Sequence, residues 1–170
     1  MLEEQWKRII ETKLKNIKNL DKLEADDPNV NSILTELREL YARKMDSIDE
    51  HELLNIGGKL LGLYTSIGVT SSIVRAKRDA AEQAYDELLA AMIIDNKKGD
   101  TNITEARAIA KGEMQQFTQE VIKAEQVKNA YESITNATDK SISFIQSAIK
   151  VKQSERIGIN KLADQYPISG

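Results

Sequence analysis

Apolar side chains recur every three or four residues along most of this 170-residue chain, and that spacing is typical of amphipathic α-helices. The first such segment, residues 2–22, is followed by a break at Asp26, Asp27 and Pro28. Asp27 is a suitable N-cap, and Pro28 suits the first turn of a second helix over about 29–45. We expect these two helices to pack as a short N-terminal helical pair.

A third helix is predicted from about residue 50 to 94, after a charged stretch with capping residues. Its first half has one charge, Lys59, and four glycines, whereas its second half is rich in alanine and charged residues. A polar turn over 95–100 leads to a capping box formed by Asn102 and Glu105. The last predicted helix runs from about 103 to 156 with an apolar stripe along its length.

A helix of that length cannot bury its stripe without a partner helix beside it. Residues 50–94, folded back across the turn, are the obvious partner. The sequence therefore predicts an all-α fold: a long antiparallel helical hairpin, coiled-coil-like, with a short N-terminal helical pair. The expected divisions are residues 1–49 for the pair, 50–156 for the hairpin and 157–170 for a C-terminal tail.

The glycine-rich segment allows three interpretations. The Gly58-to-Gly62 spacing matches the small-residue pattern of membrane helices, but the uncharged run of residues 60–74 is short and contains five hydroxyl residues. A flexible joint is the second interpretation, and a helix interface buried between copies is the one we favour. The small residues predicted to form such an oligomer interface are Gly58, Gly62, Ala80, Ala84 and Ala110.

Composition removes many kinds of active site. The chain has no Cys and one His, which excludes Cys-ligated zinc and makes hydrolytic triads improbable. No glycine motif forms a phosphate loop, and Lys97 and Gly99 occupy positions where a calcium loop needs oxygen ligands. His51 is expected to be a surface or capping residue. We therefore predict a protein without catalytic residues, metal or cofactor.

Charge is unevenly distributed, although the net charge is only −3. Residues 140–161 contain five basic groups and one acid, and a second basic cluster lies at 75–78. We expect residue 75 to lie opposite residue 123, which would add Lys123 and Lys128 to that cluster. Basic patches neutralise phosphates, although such residues also simply solvate helix faces. The predicted nucleic-acid-binding residues are Arg75, Lys77, Arg78, Lys140, Phe144, Lys150, Lys152 and Arg156, with Phe144 as the base-stacking candidate.

Residues 52–156 resemble a known kind of protein. The run of residues 80–86, the polar turn, residues 104–108, and the segment from Ala124 through Tyr131 to Phe144–Lys150 resemble helical-hairpin proteins of phage recombination and replication gene clusters. A more distant resemblance is to the recombination mediator of T-even-like phages (UvsY type). Residues 1–50 have no counterpart in that mediator.

The resemblance implies a non-enzymatic oligomer that binds single-stranded DNA and helps to load a recombinase onto strands covered by a single-strand-binding protein. It also implies that six basic residues contact phosphates: Arg75, Lys77, Arg78, Lys150, Lys152 and Arg156. We expect a location in the cytoplasm, that of the host if the chain is phage-encoded, without a signal peptide or membrane span. Two alternatives remain open: a phage inhibitor or adaptor acting on a host defence complex, and a structural component of a virion or filament.

Overall fold

The computed structural model describes residues 20–44, 47–97 and 101–165, with side chains described as far as residue 158. This part of the chain contains helices and no strand, so the predicted all-α class is confirmed. The helices are α1 (Leu20–Asp26), α2 (Pro28–Ala42), α3 (Glu50–Asn96), α4 (Ile103–Glu113) and α5 (Gln115–Gln165). Most of the first predicted helix, residues 2–22, lies outside the described residues.

The helices form two units. Unit 1 consists of the described residues up to Gly68 together with those from Ser133 onward, and unit 2 spans Val69–Glu132. Helices α3 and α5 each contribute one part to unit 1 and another part to unit 2.

In unit 1, the short helix α1, which includes only the end of the first predicted helix, is followed by α2. The carboxylate of Asp27 accepts a hydrogen bond from the Asn29 backbone N–H at 2.8 Å, and Pro28 occupies the first turn, as the sequence predicts. Arg38 on α2 donates two hydrogen bonds to the Glu24 carboxylate on α1, at 2.5 and 3.0 Å. The hydrogen bond from Arg38 holds the pKa of Glu24 below its usual value.

Helix α2 covers the hairpin helices of unit 1. Its five apolar side chains at helical spacing are all buried, and the opposing stretches of α3 and α5 are buried as well. Completely or almost completely buried residues of this core are Val30, Ile33, Leu34, Leu37, Leu40, Leu53, Leu60, Ile67, Ile134 and Ile145. Each such Leu or Ile contributes about 1.5–3 kcal/mol when it is removed from water. The core of unit 1 is therefore a three-helix core.

A polar contact lies within this core. Ser141 on α5 donates its hydroxyl hydrogen to the Ala137 carbonyl at 2.7 Å, so the Tyr41 hydroxyl is the donor in its 2.7 Å contact with Ser141 Oγ. Burial raises the pKa of Tyr41 well above its usual value, and the hydrogen bond to Ser141 only partly offsets this effect. Tyr41 thus ties α2 to α5 with a buried hydrogen bond.

The two hairpin helices run antiparallel in unit 1. Glu50, at the start of α3, accepts a hydrogen bond from Gln153 at 2.8 Å and lies 3.8 Å from the Arg156 guanidinium. Seven residues further along α3, a Cβ atom added at Gly57 would lie 3.3 Å from Ile145 Cγ2. Residues further along α3 thus contact residues that come earlier in α5. The two helices are therefore antiparallel, which confirms the predicted hairpin.

Unit 2 is a hairpin without a third helix over it in the part of the chain described. Antiparallel contacts join Arg78 Nε to Glu125 Oε2 at 2.5 Å and Asn96 Nδ2 to Glu113 Oε2 at 3.3 Å. The described residues buried in this unit are Ala106, Ala110, Met114, Ala130 and Tyr131. Its core is therefore much smaller than the core of unit 1.

Two helix boundaries differ from the sequence prediction. The last helix is interrupted at Met114, although hydrogen bonds from Met114 N to Ala110 O and from Thr118 N to Met114 O continue the helical pattern on both sides. Helix α5 also continues to Gln165, into the predicted C-terminal tail. Residues 157–165 contain one glycine and no proline, so nothing in that stretch requires the helix to end at residue 156.

We expect Tyr41→Phe to lower the free energy of unfolding by about 1 kcal/mol at neutral pH, because the buried hydrogen bond to Ser141 is lost. The difference should shrink above pH 10. A tyrosine whose pKa is raised in the folded state contributes stability below the unfolded pKa of about 10, and that contribution is lost as the pH rises. Urea titrations of both proteins from pH 7 to pH 11 measure this. A difference that is constant with pH would contradict the buried-hydroxyl account.

Candidate nucleic-acid interface and association surface

The basic cluster of unit 2 is neutralised by carboxylates. Arg78 donates to Glu125 across the hairpin and to Glu82 one turn along α3, and it also reaches Asp79 at 3.1 Å. Arg75 pairs with Glu132 at 2.8 Å. The hydrogen bond from Arg78 lowers the pKa of Glu125, so this carboxylate stays charged at neutral pH. A phosphate would have to compete with these partners.

The pairing register differs from the one we expected. The contacts of Arg78 with Glu125 and of Tyr85 with Thr118 place residue 75 nearly opposite residue 128 and not 123, because the turn lies later in the chain than we assumed. Arg75 reaches further along α5 to Glu132, and Lys128, which we expected to add positive charge, binds Glu125 at 3.2 Å. The acids of α3 beside Arg78 lie on the same helix and could have been counted from the sequence. Lys77 alone among the three basic residues of the cluster has no ion pair within the described chain.

The basic residues near the end of α5 separate into two groups. Arg156 lies beside Glu50, and Lys152 is half-buried. At about 100° per residue, Lys152 and Arg156 turn towards the buried side of α5, whereas Lys140 and Lys150 turn away from it. Lys140 and Lys150 are exposed and have no ion pair with any residue that the structure describes. The side chain of Arg156 is also 75% exposed, but it lies beside Glu50, so Lys140 and Lys150 are the cations of this part of α5 that have no carboxylate next to them among the described residues.

Phe144 lies one helical turn from Lys140 and is half-buried. Serines follow on the same outer side of the helix, and Ser147 and Ser154 donate to the carbonyls of Ser143 and Lys150, both at 2.9 Å. These hydroxyl hydrogens are already donated to backbone carbonyls of the helix. The ammonium groups of the lysines are therefore the side-chain donors that remain available to a ligand on this surface. We name the surface formed by Lys140, Phe144 and Lys150 the lysine face.

The residues predicted to form an oligomer interface also fall into two groups. Ala110 is completely buried inside the hairpin of unit 2, so it belongs to a contact within the chain rather than between copies. Gly58, Gly62, Ala80 and Ala84 are all exposed. A Cβ atom added at Gly58 or Gly62 would meet nothing within 4 Å. These four positions therefore remain accessible to a second molecule.

The remaining sequence predictions concern metal and membrane. His51 is exposed at the start of α3, as expected for a surface residue. Among the described residues there is no group of three or more His, Cys, Asp and Glu side chains placed to hold a metal ion. Within the same residues, none of the helices combines the length and the apolar character that crossing a membrane requires. Gly99, which occupies a position where a calcium loop needs an oxygen ligand, lies outside the described residues.

Unit 2 has a second feature. Nine large apolar side chains are more than 40% exposed there, because two paired helices leave their outer sides uncovered. They are Val69, Ile73, Leu88, Ile94, Ile103, Ile109, Phe117, Ile122 and Val127. Several of them, such as Phe117 and Val127, belong to the apolar stripe of the last predicted helix, so the stripe alone did not show which residues the hairpin would bury. Exposed apolar side chains at this density are typical of an interaction surface.

Searches for relatives give no match to any protein-family model, curated protein or solved structure.

Glycine substitutions test the local packing around α3. We expect Gly62→Ala to raise the free energy of unfolding by about 0.5–1 kcal/mol, because Gly is unfavourable in a helix and the new methyl group meets nothing within the chain. Gly57→Val should lower it, because the added carbons press on Ile145. Urea unfolding at low protein concentration measures both values. A loss of stability for Gly62→Ala there would contradict the open environment assigned to Gly62.

Proposed function

We propose that this chain is a non-enzymatic accessory protein that binds single-stranded DNA and acts as an oligomer. The observation that supports DNA binding is the lysine face: Lys140 and Lys150 are exposed and have no carboxylate partner in the described part of the chain. A phosphate that binds there displaces no ion pair with a residue that the structure describes. Phosphates at Arg75 or Arg78 would have to displace glutamates.

The spacing of the lysine face suits an extended strand. Lys140 and Lys150 are about 15 Å apart along the helix axis, since each residue adds about 1.5 Å. The two side chains therefore meet different phosphates of the same strand. Phe144 lies between them in sequence and is half-buried, and in this proposal its ring stacks on an unpaired base, a contact that is tolerant of sequence. Two lysines and one ring make a weak site in a single chain, so several copies along one strand raise the total affinity.

In this proposal the protein holds DNA and protein partners together without making or breaking a bond. By its resemblance to phage recombination mediators, the protein partner is a recombinase or a single-strand-binding protein, and the setting is the cytoplasm of a phage-infected cell. The non-enzymatic character and the absence of a cofactor are parts of the proposal.

A second candidate function is favoured by the exposed apolar side chains of unit 2. A hairpin with this surface suits a protein-binding adaptor or inhibitor, or a structural component of a larger assembly, without any role for DNA. Such a protein would associate independently of nucleic acid and would show no salt-dependent DNA binding.

A matched pair of double variants tests DNA binding. We expect Lys140→Ala with Lys150→Ala to weaken binding of a labelled single-stranded oligonucleotide and to reduce the slope of log affinity against log salt by about 1.4, the value for two phosphate contacts on a single strand. Arg75→Ala with Arg78→Ala makes the same charge change and should have a much smaller effect. Fluorescence anisotropy at several salt concentrations measures both.

Equal effects of the two double variants would show that overall charge, and not the lysine face, determines affinity. No binding of the unmodified protein at micromolar concentration in low salt would exclude the DNA-binding function and favour the second candidate.

A further inference from the structure

The two sides of the unit 2 hairpin differ in chemistry. Half-buried or buried positions such as 74, 78 and 85 on α3 and 110, 121 and 128 on α4 and α5 define the inward direction of each helix. At about 100° per residue, five exposed apolar side chains turn to one side of the hairpin. They are Ile73, Leu88, Ile109, Phe117 and Val127, each 41–52% exposed. We name this surface the apolar face.

The opposite side of the same hairpin is polar. Arg75, Glu125 and Glu132 turn to that side, where Arg75 pairs with Glu132 and Glu125 accepts from Arg78. The hydrogen bonds that bridge Met114 keep α4 and α5 nearly in phase, so Ile109 and Val127, eighteen residues apart, lie on the same line. The apolar face is therefore one continuous surface, and ion pairs lie on the opposite side of unit 2.

We propose that the apolar face binds a second copy of this chain, antiparallel, so that α3 packs on α3 and α5 on α5 around a two-fold axis. This inference deepens the oligomer part of the proposed function and does not require DNA binding. Two features of the apolar face identify its occupant as the same chain: its residues complement each other about one centre, and its area equals what a stable dimer needs.

The apolar residues pair about a common centre. In an antiparallel pair of identical helices, each residue meets one that lies equally far on the other side of the axis. Ile73 then meets Leu88 of the second copy if the axis passes near residue 81, and Phe117 meets Val127 if it passes near residue 122. Residues 81 and 122 lie at the same level of the hairpin, between the contacts of Arg78 with Glu125 and of Tyr85 with Thr118. A single axis therefore satisfies both pairs.

A charged pair on α5 agrees with the same axis. Lys123 then lies close to Glu120 of the second copy, which brings opposite charges together at two symmetric sites. Lys123 has no ion pair within the described chain. Alanines lie near the axis, where small side chains permit close approach of the helices: Ala80, Ala81, Ala84 and Ala124.

The area is sufficient for a stable dimer. Residues 69–96 of α3 extend about 42 Å, and two helices side by side are about 20 Å wide. Their product is about 800 Å², which equals the area that each partner contributes to an interface of standard size. The resulting four-helix arrangement covers the apolar residues that the single hairpin leaves exposed.

Sedimentation velocity of the full chain over a range of concentrations tests the proposal. We expect a concentration-dependent dimer, and we expect Leu88→Glu or Phe117→Glu to raise its dissociation constant at least tenfold while circular dichroism shows unchanged helicity. Ile122→Glu is the matched control, because Ile122 is exposed to the same extent as Phe117, 42%, but lies on the polar side. It should change the dissociation constant less than twofold. A monomer at all concentrations, or equal effects of Phe117→Glu and Ile122→Glu, would overturn the proposal.

A charge exchange tests the orientation without changing an apolar residue. Lys123→Glu and Glu120→Lys should each weaken the dimer several-fold, because each places like charges together at two symmetric sites, and the double variant should restore it. Failure of the double variant to restore association would overturn the antiparallel register. Fluorescence anisotropy with the same oligonucleotide separates the two proposals. Variants of the apolar face should lose the dimer, whereas the variant of Lys140 and Lys150 should lose DNA contacts.

Discussion

The structure depends on one constraint: two paired helices leave apolar side chains on their outer sides, and something must cover them. In unit 1, α2 supplies the cover, with five buried apolar side chains that complete a three-helix core. In unit 2, no described segment does so, and nine large apolar side chains remain substantially exposed. The first unit thus has a core within one chain. In our proposal the second unit acquires a comparable core by association with another copy, which would make oligomerisation part of the folding of this protein.

The same division organises the charges. Where helices pair within the chain, arginines form ion pairs with glutamates, as Arg78 does with Glu125 and Arg38 with Glu24. These exposed pairs add little stability, but they remove positive charge that would otherwise attract phosphate. The lysines that have no ion pair in the described chain are therefore the more informative cations. In our proposals, Lys140 and Lys150 on α5 contact a nucleic-acid strand, and Lys123 in unit 2 lies near an acidic residue of another copy.

Much of the fold follows from local sequence. Apolar spacing, the Asp27-Pro28 start of α2 and the Asn102 cap of α4 predict the helices, and helix length predicts the hairpin. The candidate site was predicted less well, because it depends on register. Arg75 and Arg78 look basic in sequence, and the carboxylates that pair with them across the hairpin, Glu132 and Glu125, are 57 and 47 residues away respectively. Glu82, one helical turn from Arg78, was a local signal that we did not use. Periodicity fixes the face of a residue on its own helix but not its partner across a hairpin. Ala110 was wrongly assigned to an interface between copies, because a small residue suits a contact within the chain as well as one between chains.

The most direct test of this account is hydrogen–deuterium exchange measured at low and high protein concentration, with peptides that separate the two units. The account predicts that amides of 69–96 and 103–132 become better protected as concentration rises, while amides of α2, whose apolar side is already buried within the chain, do not change. Equal protection of both units that is independent of concentration would contradict it, because the hairpin of unit 2 would then be stable without a cover.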